Sequence, residues 1–411
     1  MCTAAVSLLG AFLLVAVHAS QQPIAHALRF DEFATLRHRL YPSHAVRVKK
    51  TKHCDGEVNA YSGYIDNEAK HLWFEFFESR RDPANDDIVF KTNGGPGTSS
   101  ALGLYMEHGP CLFLDETGPQ RNPYSWNERA NVLYIHQPVN VGFSYAEHGE
   151  SVYTTEEAVR DIAAFITILF DSEHFVHLNL AAPGRKLHMT GESYGGRYIP
   201  LFASAILDRN AQRVQDGREP ISLVHHARRL VSIHDWLLRN AVYCSTWRSD
   251  AYHTNNHLRQ DETSASTMLQ RSAKHVHRSL CPFHVRSPTA AMRFQQSGDY
   301  IRGSYEYIAS LLERGVRVLA YNGAYDFVCS WSGTQRWTDA LEWSGAEAYR
   351  ATKLQDWEVD GQSAGWWRGA SGMTFVTIHA AGLWYEREAA PYDKPKEALV
   401  MLQRWLDGGK F

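Results

Sequence analysis

An α/β fold, with a mostly parallel sheet flanked by helices, is what this 411-residue sequence predicts. Three observations predict it. Short apolar strands alternate with helix-like segments along most of the chain. One strand, KLHMT (186–190), runs directly into GESYGG (191–196) and then into a helical pattern. A glycine-rich stretch, NGGPGTSS (93–100), follows the short apolar strand IVF (88–90).

The elements follow in chain order. Residues 4–17, AAVSLLGAFLLVAV, form an uncharged apolar run too short to span a bilayer, and small residues close it at Val17 and Ala19. This reads as a secretory signal covering 1–20. Residues 21–53 are polar and mixed and read as a loosely attached N-terminal segment ahead of the main domain, 54–411. VNAYSGYID (58–66) and KHLWFEFFESR (70–80) read as two facing strands, and NVLYIHQP (131–138) as another. TTEEAVRDIAAFITILF (154–170) reads as a helix, with Thr155 as its N-cap, Glu156 and Glu157 in the first turn, and Ala158, Ile162, Phe165, Ile166 and Leu169 as one apolar stripe. RYIPLFASAILDRNAQ opens a second helix. VRVLAYNG (316–323) and MTFVTI (373–378) are strands, and PKEALVMLQRWLDGG is a C-terminal helix with a glycine stop. The stretch 211–295 has little periodicity and reads as a divergent, shortened insertion or cap.

A formal charge of −3 and the absence of any basic amphipathic stretch give no case for nucleic acid or for membrane binding once the signal is removed. Secretion makes cysteine pairing plausible. Removing Cys2 with the signal leaves Cys54, Cys111, Cys244, Cys281 and Cys329, an odd number. The histidines have no supported metal-ligand spacing, so neither metal nor cofactor is expected.

G-x-S-x-G centred on Ser193 is a moderate signal alone; a plain tight turn is the alternative. Strand–turn–helix is the context of a nucleophile elbow, in which the serine hydroxyl stands above the end of the sheet. Such a nucleophile needs an oxyanion hole; Tyr194 N–H supplies one donor, and the NGGPG loop is the kind of segment that supplies the other. In this chain order the acid that orients the base follows the serine, and Asp326, just after VRVLAYNG, sits where it belongs.

NGGPGTSS with MEHGPC, NVLYIHQPVNVGFSYA, GESYGGRYIP, YNGAYDFVCSW and AAPYDKPKEAL together resemble the serine carboxypeptidases of the fungal secreted or vacuolar type, over 54–210 and 293–411. The resemblance implies an α/β-hydrolase fold and release of C-terminal residues from peptides at acidic pH. It makes Ser193 the nucleophile, Asp326 the triad acid, and Gly95 and Tyr194 the oxyanion donors. Asn93 and Glu192 then hold the terminal carboxylate of a peptide, and Glu107 faces Glu192 and shares a proton with it, which raises one pKa. Cys329 matches a thiol near the substrate pocket.

The pattern also breaks. Leu383 stands where the resemblance puts the catalytic histidine, and LWYEREAA replaces three residues with eight. His379, four residues upstream, lies about 13 Å back along a strand and out of reach of Ser193. Thr98 stands for a cysteine, Lys91 for a tryptophan, His136 for an acid and Asn140 for a glycine. Two explanations compete: a decayed or repurposed inactive homologue, or misplaced exon boundaries near 221–290 and 383–390. Sharp breaks between matching flanks favour the second there, and point changes such as Lys91 and Thr98 are not explained that way. Two further readings stay open beside the carboxypeptidase: a non-catalytic secreted homologue that binds peptide C-termini, and an esterase or acyltransferase on the same scaffold.

Overall fold

The computed structural model describes residues 33–52, 54, 56–114, 118–223, the backbone of 231–233, 285–326, 329–382, 390–408 and 410–411. The expected signal at 1–20, most of the 211–295 insertion and Leu383 lie outside the described residues.

Fifteen strands are described: β1 (Ala34–Arg37), β2 (His44–Thr51), β3 (Ala60–Asn67), β4 (Lys70–Phe77), β5 (Ile88–Thr92), β6 (Cys111–Leu112), β7 (Gln120–Arg121), β8 (Asn131–Ile135), β9 (Tyr145–Ala146), β10 (Leu187–Gly191), β11 (Val231–Ile233), β12 (Val318–Gly323), β13 (Gln355–Val359), β14 (Gln362–Ala370) and β15 (Met373–Ile378). All but β6 and β7 join one sheet, in the order β1-β2-β3-β4-β8-β5-β10-β11-β12-β15-β14-β13, with β9 paired to β4. The central run from β8 through β5, β10, β11 and β12 to β15 is parallel; both flanks are antiparallel. The parallel strands β5 and β10 are short and buried at every position, as strands covered on both faces are.

The helices α1 (Thr155–Phe170), α2 (Gly195–Gln215), α3 (Pro288–Gln296), α4 (Tyr305–Glu313), α5 (Trp331–Ala340), α6 (Ala346–Ala351) and α7 (Pro395–Leu406) cover the sheet. The expected stripe of α1 is buried against the sheet, with Phe165 packed 4.8 Å from Phe74 between ring centroids. Burying each such side chain contributes roughly 1.5–3 kcal/mol. Core residues of the opposite face include Trp73, Trp126, Tyr134 and Tyr321, with Met401 and Trp405 of α7 packed against them. No helix among the described residues is long and apolar enough to cross a membrane.

Three expectations need correcting. The segment 21–53 is not loosely attached where it is described: β1 and β2 extend the main sheet, because Val46 and Val48 alternate into the core with no exposure. The cap of α1 is Thr154 rather than Thr155: Thr154 has the extended backbone of a cap, and its Oγ1 accepts from Glu157 N at 3.2 Å. Within 211–295, α2 continues to Gln215 and α3 spans Pro288–Gln296, so both ends of the stretch are regular helix.

Candidate active site

Parallel strands deliver their C-terminal ends to one edge of a sheet, and three loops meet there after β10, β12 and β15. The first is the elbow between β10 and α2. Ser193 takes φ of +54°, a left-handed conformation that a non-glycine residue adopts only where its surroundings impose it. The flanking Gly191 supplies room rather than the unusual dihedral: a Cβ on it would stand 2.8 Å from Ile199 Cγ1 and 2.9 Å from the backbone of Gly195.

The elbow is clamped from below. Tyr194 Oη donates to Asp299 Oδ2 at 2.5 Å, and Thr155 Oγ1 donates to the same oxygen at 2.6 Å. Arg197 Nη2 donates to Asp299 Oδ1 at 3.1 Å and to Glu156 Oε1 at 2.7 Å. Burial pushes the Asp299 carboxyl up, but the Thr155 and Tyr194 hydroxyls and the Arg197 guanidinium more than offset it and hold it below the usual carboxylate range. Sequence reasoning missed Asp299; it sits beside a short 3-10 turn with no periodic pattern, so no local signal marks it.

The NGGPG loop lies directly against the elbow. A Cβ on Gly94 would stand 2.4 Å from Tyr194 N and 2.5 Å from Glu192 O, so only glycine allows this approach. The expected oxyanion donors, Gly95 and Tyr194, therefore sit on two loops in backbone contact. Thr98 N donates to Gly94 O at 3.0 Å, and Asn93 N to Ser100 Oγ at 3.0 Å, which fixes the loop's shape.

Asn93, Glu107 and Glu192 are brought together. Asn93 Nδ2 donates to Glu192 Oε2 at 3.0 Å. Glu107 and His108 come from the π-helical turn Gly103–Glu107 and its cap. Ligand atoms of Glu107, His108 and Glu192 lie within 4.8 Å of one another, and all three residues are buried. The sequence reading did not place Lys91 here. Strand alternation puts it on the same face, in a register row that runs Glu75, Tyr134, Lys91, Thr190 across β4, β8, β5 and β10. Its Nζ bonds to Glu192 Oε1, and its side chain is wholly buried.

That contact gives Glu192 a cation beside the acid neighbour the resemblance implied. Burial alone would push the Glu192 carboxyl up, but the Lys91 ammonium and then the neighbouring His108 hold it well below the usual range. His108 is pushed down to about 4 by burial, so it is a neutral ring near pH 7. It stacks 4.1 Å from the Trp126 ring, and its Nδ1 lies 3.0 Å from Tyr134 Oη. The same ammonium speaks against a metal here: a fixed positive charge already occupies one of the three ligands.

Asp326 is buried in the turn after β12, and its Oδ1 accepts from Cys329 N at 2.6 Å. Tyr325 N donates to Ala381 O at 2.8 Å, and a Cβ on Gly382 would stand 2.7 Å from Asp326 N. The residue next in sequence to Gly382 is Leu383, outside the described residues. His379 follows the end of β15 and lies elsewhere: its N–H donates to Ala364 O at 2.8 Å, and its ring sits edge-on to Trp366 at 4.8 Å, on the β14 side of the strand rather than the β12 side. Cys54 and Cys111 form a disulfide, and Cys329 is a buried thiol. Cys244 and Cys281 lie outside the described residues.

Comparison with known proteins gives the family and the fold. A family model described as serine carboxypeptidase matches residues 51–224 and 236–408. The chain is 32% identical over 424 residues to carboxypeptidase Y homolog A of Pyrenophora tritici-repentis, covering 86% of this chain and 74% of that one. It is 30% identical to carboxypeptidase Y of Komagataella phaffii, covering 89% and 80%. Its fold is similar to that of Kex1(delta)p, a prohormone-processing carboxypeptidase from Saccharomyces cerevisiae, with a TM-score of 0.61 at 19% identity over 86% of this chain and 92% of that one.

Proposed function

The chain belongs to the serine carboxypeptidase family, and from that premise we propose that it takes peptide C-termini into the site at the ends of β10 and β12. In this reading Ser193 Oγ attacks the last peptide carbonyl. The N–H groups of Gly95 and Tyr194 hold the oxyanion as it forms. Asn93 and Glu192 hold the terminal carboxylate, with Glu107 behind them, and Asp326 orients the base. The observation that carries it is the left-handed Ser193 turn with Gly94 seated against Tyr194 N. A secretory route, to the vacuole or outside the cell, fits the apolar run at 4–17.

The physical reason for the acid-pH operation that the resemblance implied is a proton shared by Glu107 and Glu192, and Lys91, bonded to Glu192, is the first departure from that arrangement. The base is the second departure. The backbone of Gly382 abuts Asp326, and the residue that follows is leucine. Loss of a triad base costs several orders of magnitude in rate. That residue favours a second reading, in which the chain binds peptide ends and turns them over very slowly. An esterase or acyltransferase needs the same base and gains nothing from Asn93 beside Glu192.

The test is labelling of Ser193 by a fluorophosphonate probe, read by mass spectrometry, in the chain and in Leu383→His. Labelling of Ser193 that rises at least about 10³-fold in Leu383→His, together with release of C-terminal residues from blocked dipeptides, supports the reading. Equal labelling in both proteins overturns the role given to the base position. No labelling or release in either overturns Ser193 as nucleophile.

A further inference from the structure

A buried lysine inside a carboxylate-rich pocket calls for an explanation. Lys91 has no exposed surface, and Glu192, its partner, is almost as buried. Each oxygen of Glu192 has its own donor, Lys91 Nζ on Oε1 and Asn93 Nδ2 on Oε2. A pocket with two carboxyls that must admit a third has one other way to limit repulsion, which is to take up a proton. Uptake of that proton ties binding to acid.

We propose that Lys91 supplies this pocket with a fixed positive charge, so that it admits an anionic peptide C-terminus without taking up a proton. The proposal rests on the reading of Asn93 and Glu192 as the terminal-carboxylate site. The groups that face the pair are few. Glu107 and His108 come from the π-helical turn, Tyr134 from β8, and Asn93 from the loop after β5; Thr190 of β10 and Glu75 of β4 complete the row across the sheet. Glu75 is engaged elsewhere, accepting from Tyr105 Oη at 2.9 and 3.1 Å. His108 is a neutral ring above about pH 4 and brings no charge at neutral pH. Lys91 is therefore the one cation among these groups, and its Nζ is bonded to Glu192 Oε1.

The consequence is an affinity that is flat with pH where a proton-dependent pocket would show a slope. A peptide C-terminus, with a pKa near 3.5, stays ionised throughout this range, so the ligand contributes no slope of its own.

The experiment is isothermal titration of full-length chain carrying Ser193→Ala, which binds without turnover, at pH 5.0 and pH 7.5. The ligands are an N-acylated dipeptide with a free carboxylate and its C-terminal amide. The expected result is a Kd for the free acid that agrees within about threefold between the two pH values, with the amide at least about tenfold weaker. Adding Lys91→Met is expected to weaken the free acid at least about tenfold at pH 7.5 and to recover most of that loss at pH 5.0. If the free acid weakens tenfold or more from pH 5.0 to pH 7.5 with Lys91 in place, the proposal is overturned while the carboxylate site stands. If acid and amide bind alike, or neither binds, the underlying site assignment fails instead. The profile of the protein with Lys91 decides the matter even if Lys91→Met does not fold.

Discussion

Lowering the pH from 7 to 5 will destabilise this protein, through two buried histidines that carry no proton when folded. His108 and His136 are each pushed from 6.5 to about 4 by burial, and each is about 1% exposed. His136 Nδ1 accepts from Phe143 N at 3.1 Å, a bond that only the unprotonated nitrogen makes. The folded pKa lies below the unfolded one, so the stability is present above pH 6.5 and is lost as the pH falls toward 4. Between pH 7 and pH 5 the unfolded chain takes up almost one proton per ring and the folded chain almost none, which is a loss of about 2 kcal/mol per histidine and about 4 for the pair. The carboxylates held below their usual range, Asp66, Asp87 and Asp161 among them, add their own loss only below about pH 4. With about 2 cal/mol/K of unfolding entropy per residue, a 411-residue chain loses about 1 °C of Tm per 0.9 kcal/mol, so the pair gives a fall of about 5 °C. Thermal melts followed by intrinsic fluorescence at the two pH values read this directly. His136→Asn, which keeps an acceptor for Phe143 N but does not titrate, should remove the His136 share of the fall, about 2 kcal/mol. A Tm at pH 5 equal to or above that at pH 7 would refute the assignment of both rings as buried and neutral.

Three more outcomes follow from the geometry. Asp299→Ala removes the buried acceptor shared by the Tyr194 and Thr155 hydroxyls and one of the two carboxylate partners of Arg197, and should cost about 3–5 kcal/mol, seen as a Tm lower by about 4–6 °C at pH 7. Replacing Cys54 and Cys111 by serine opens a loop of sequence separation 57, and the chain-entropy model puts the loss at about 4 kcal/mol, measurable as a lower midpoint in urea. Gly94→Ala forces a methyl against Tyr194 N and Glu192 O, and should cost about 1–3 kcal/mol of stability. In the Leu383→His background it should also remove phosphonate labelling of Ser193, because the two loops of the oxyanion site can no longer touch.

The parts of this fold legible in sequence are those with local physics. β15 begins and ends at the residues its apolar run marks, and β3, β4 and α1 agree within a few positions, because periodicity and turn chemistry act over neighbours. The N-terminal strands were missed because HAVRVKKT is half basic. Arg47 and Lys49 alternate onto the face opposite Val46 and Val48, and only the partner strand β3 reveals that the two valines are core. Ser193 was legible because an elbow is a contiguous motif. Asp299 was not, since it reaches Thr155, Tyr194 and Arg197 from more than a hundred residues away. Lys91 was visible only as a residue out of pattern; its meaning required knowing that β5 and the elbow bring it to Glu192.

The elbow and the base stand on different supports, and this bears on what the leucine at 383 means. The strained Ser193 turn is held by the Asp299 network and by the Gly94 contact, neither of which involves a triad histidine. The terminal-carboxylate cluster is likewise complete in itself, with Lys91, Asn93 and His108 around Glu192. Asp326 is held by Cys329 N and by the backbone of the turn. A histidine after Gly382 would add reactivity to these groups but is needed to hold none of them in place. An intact elbow is therefore no argument that the base is present. In the proposed reading, catalytic competence turns on the identity of residue 383, and recognition of peptide ends on Lys91, Asn93 and Glu192.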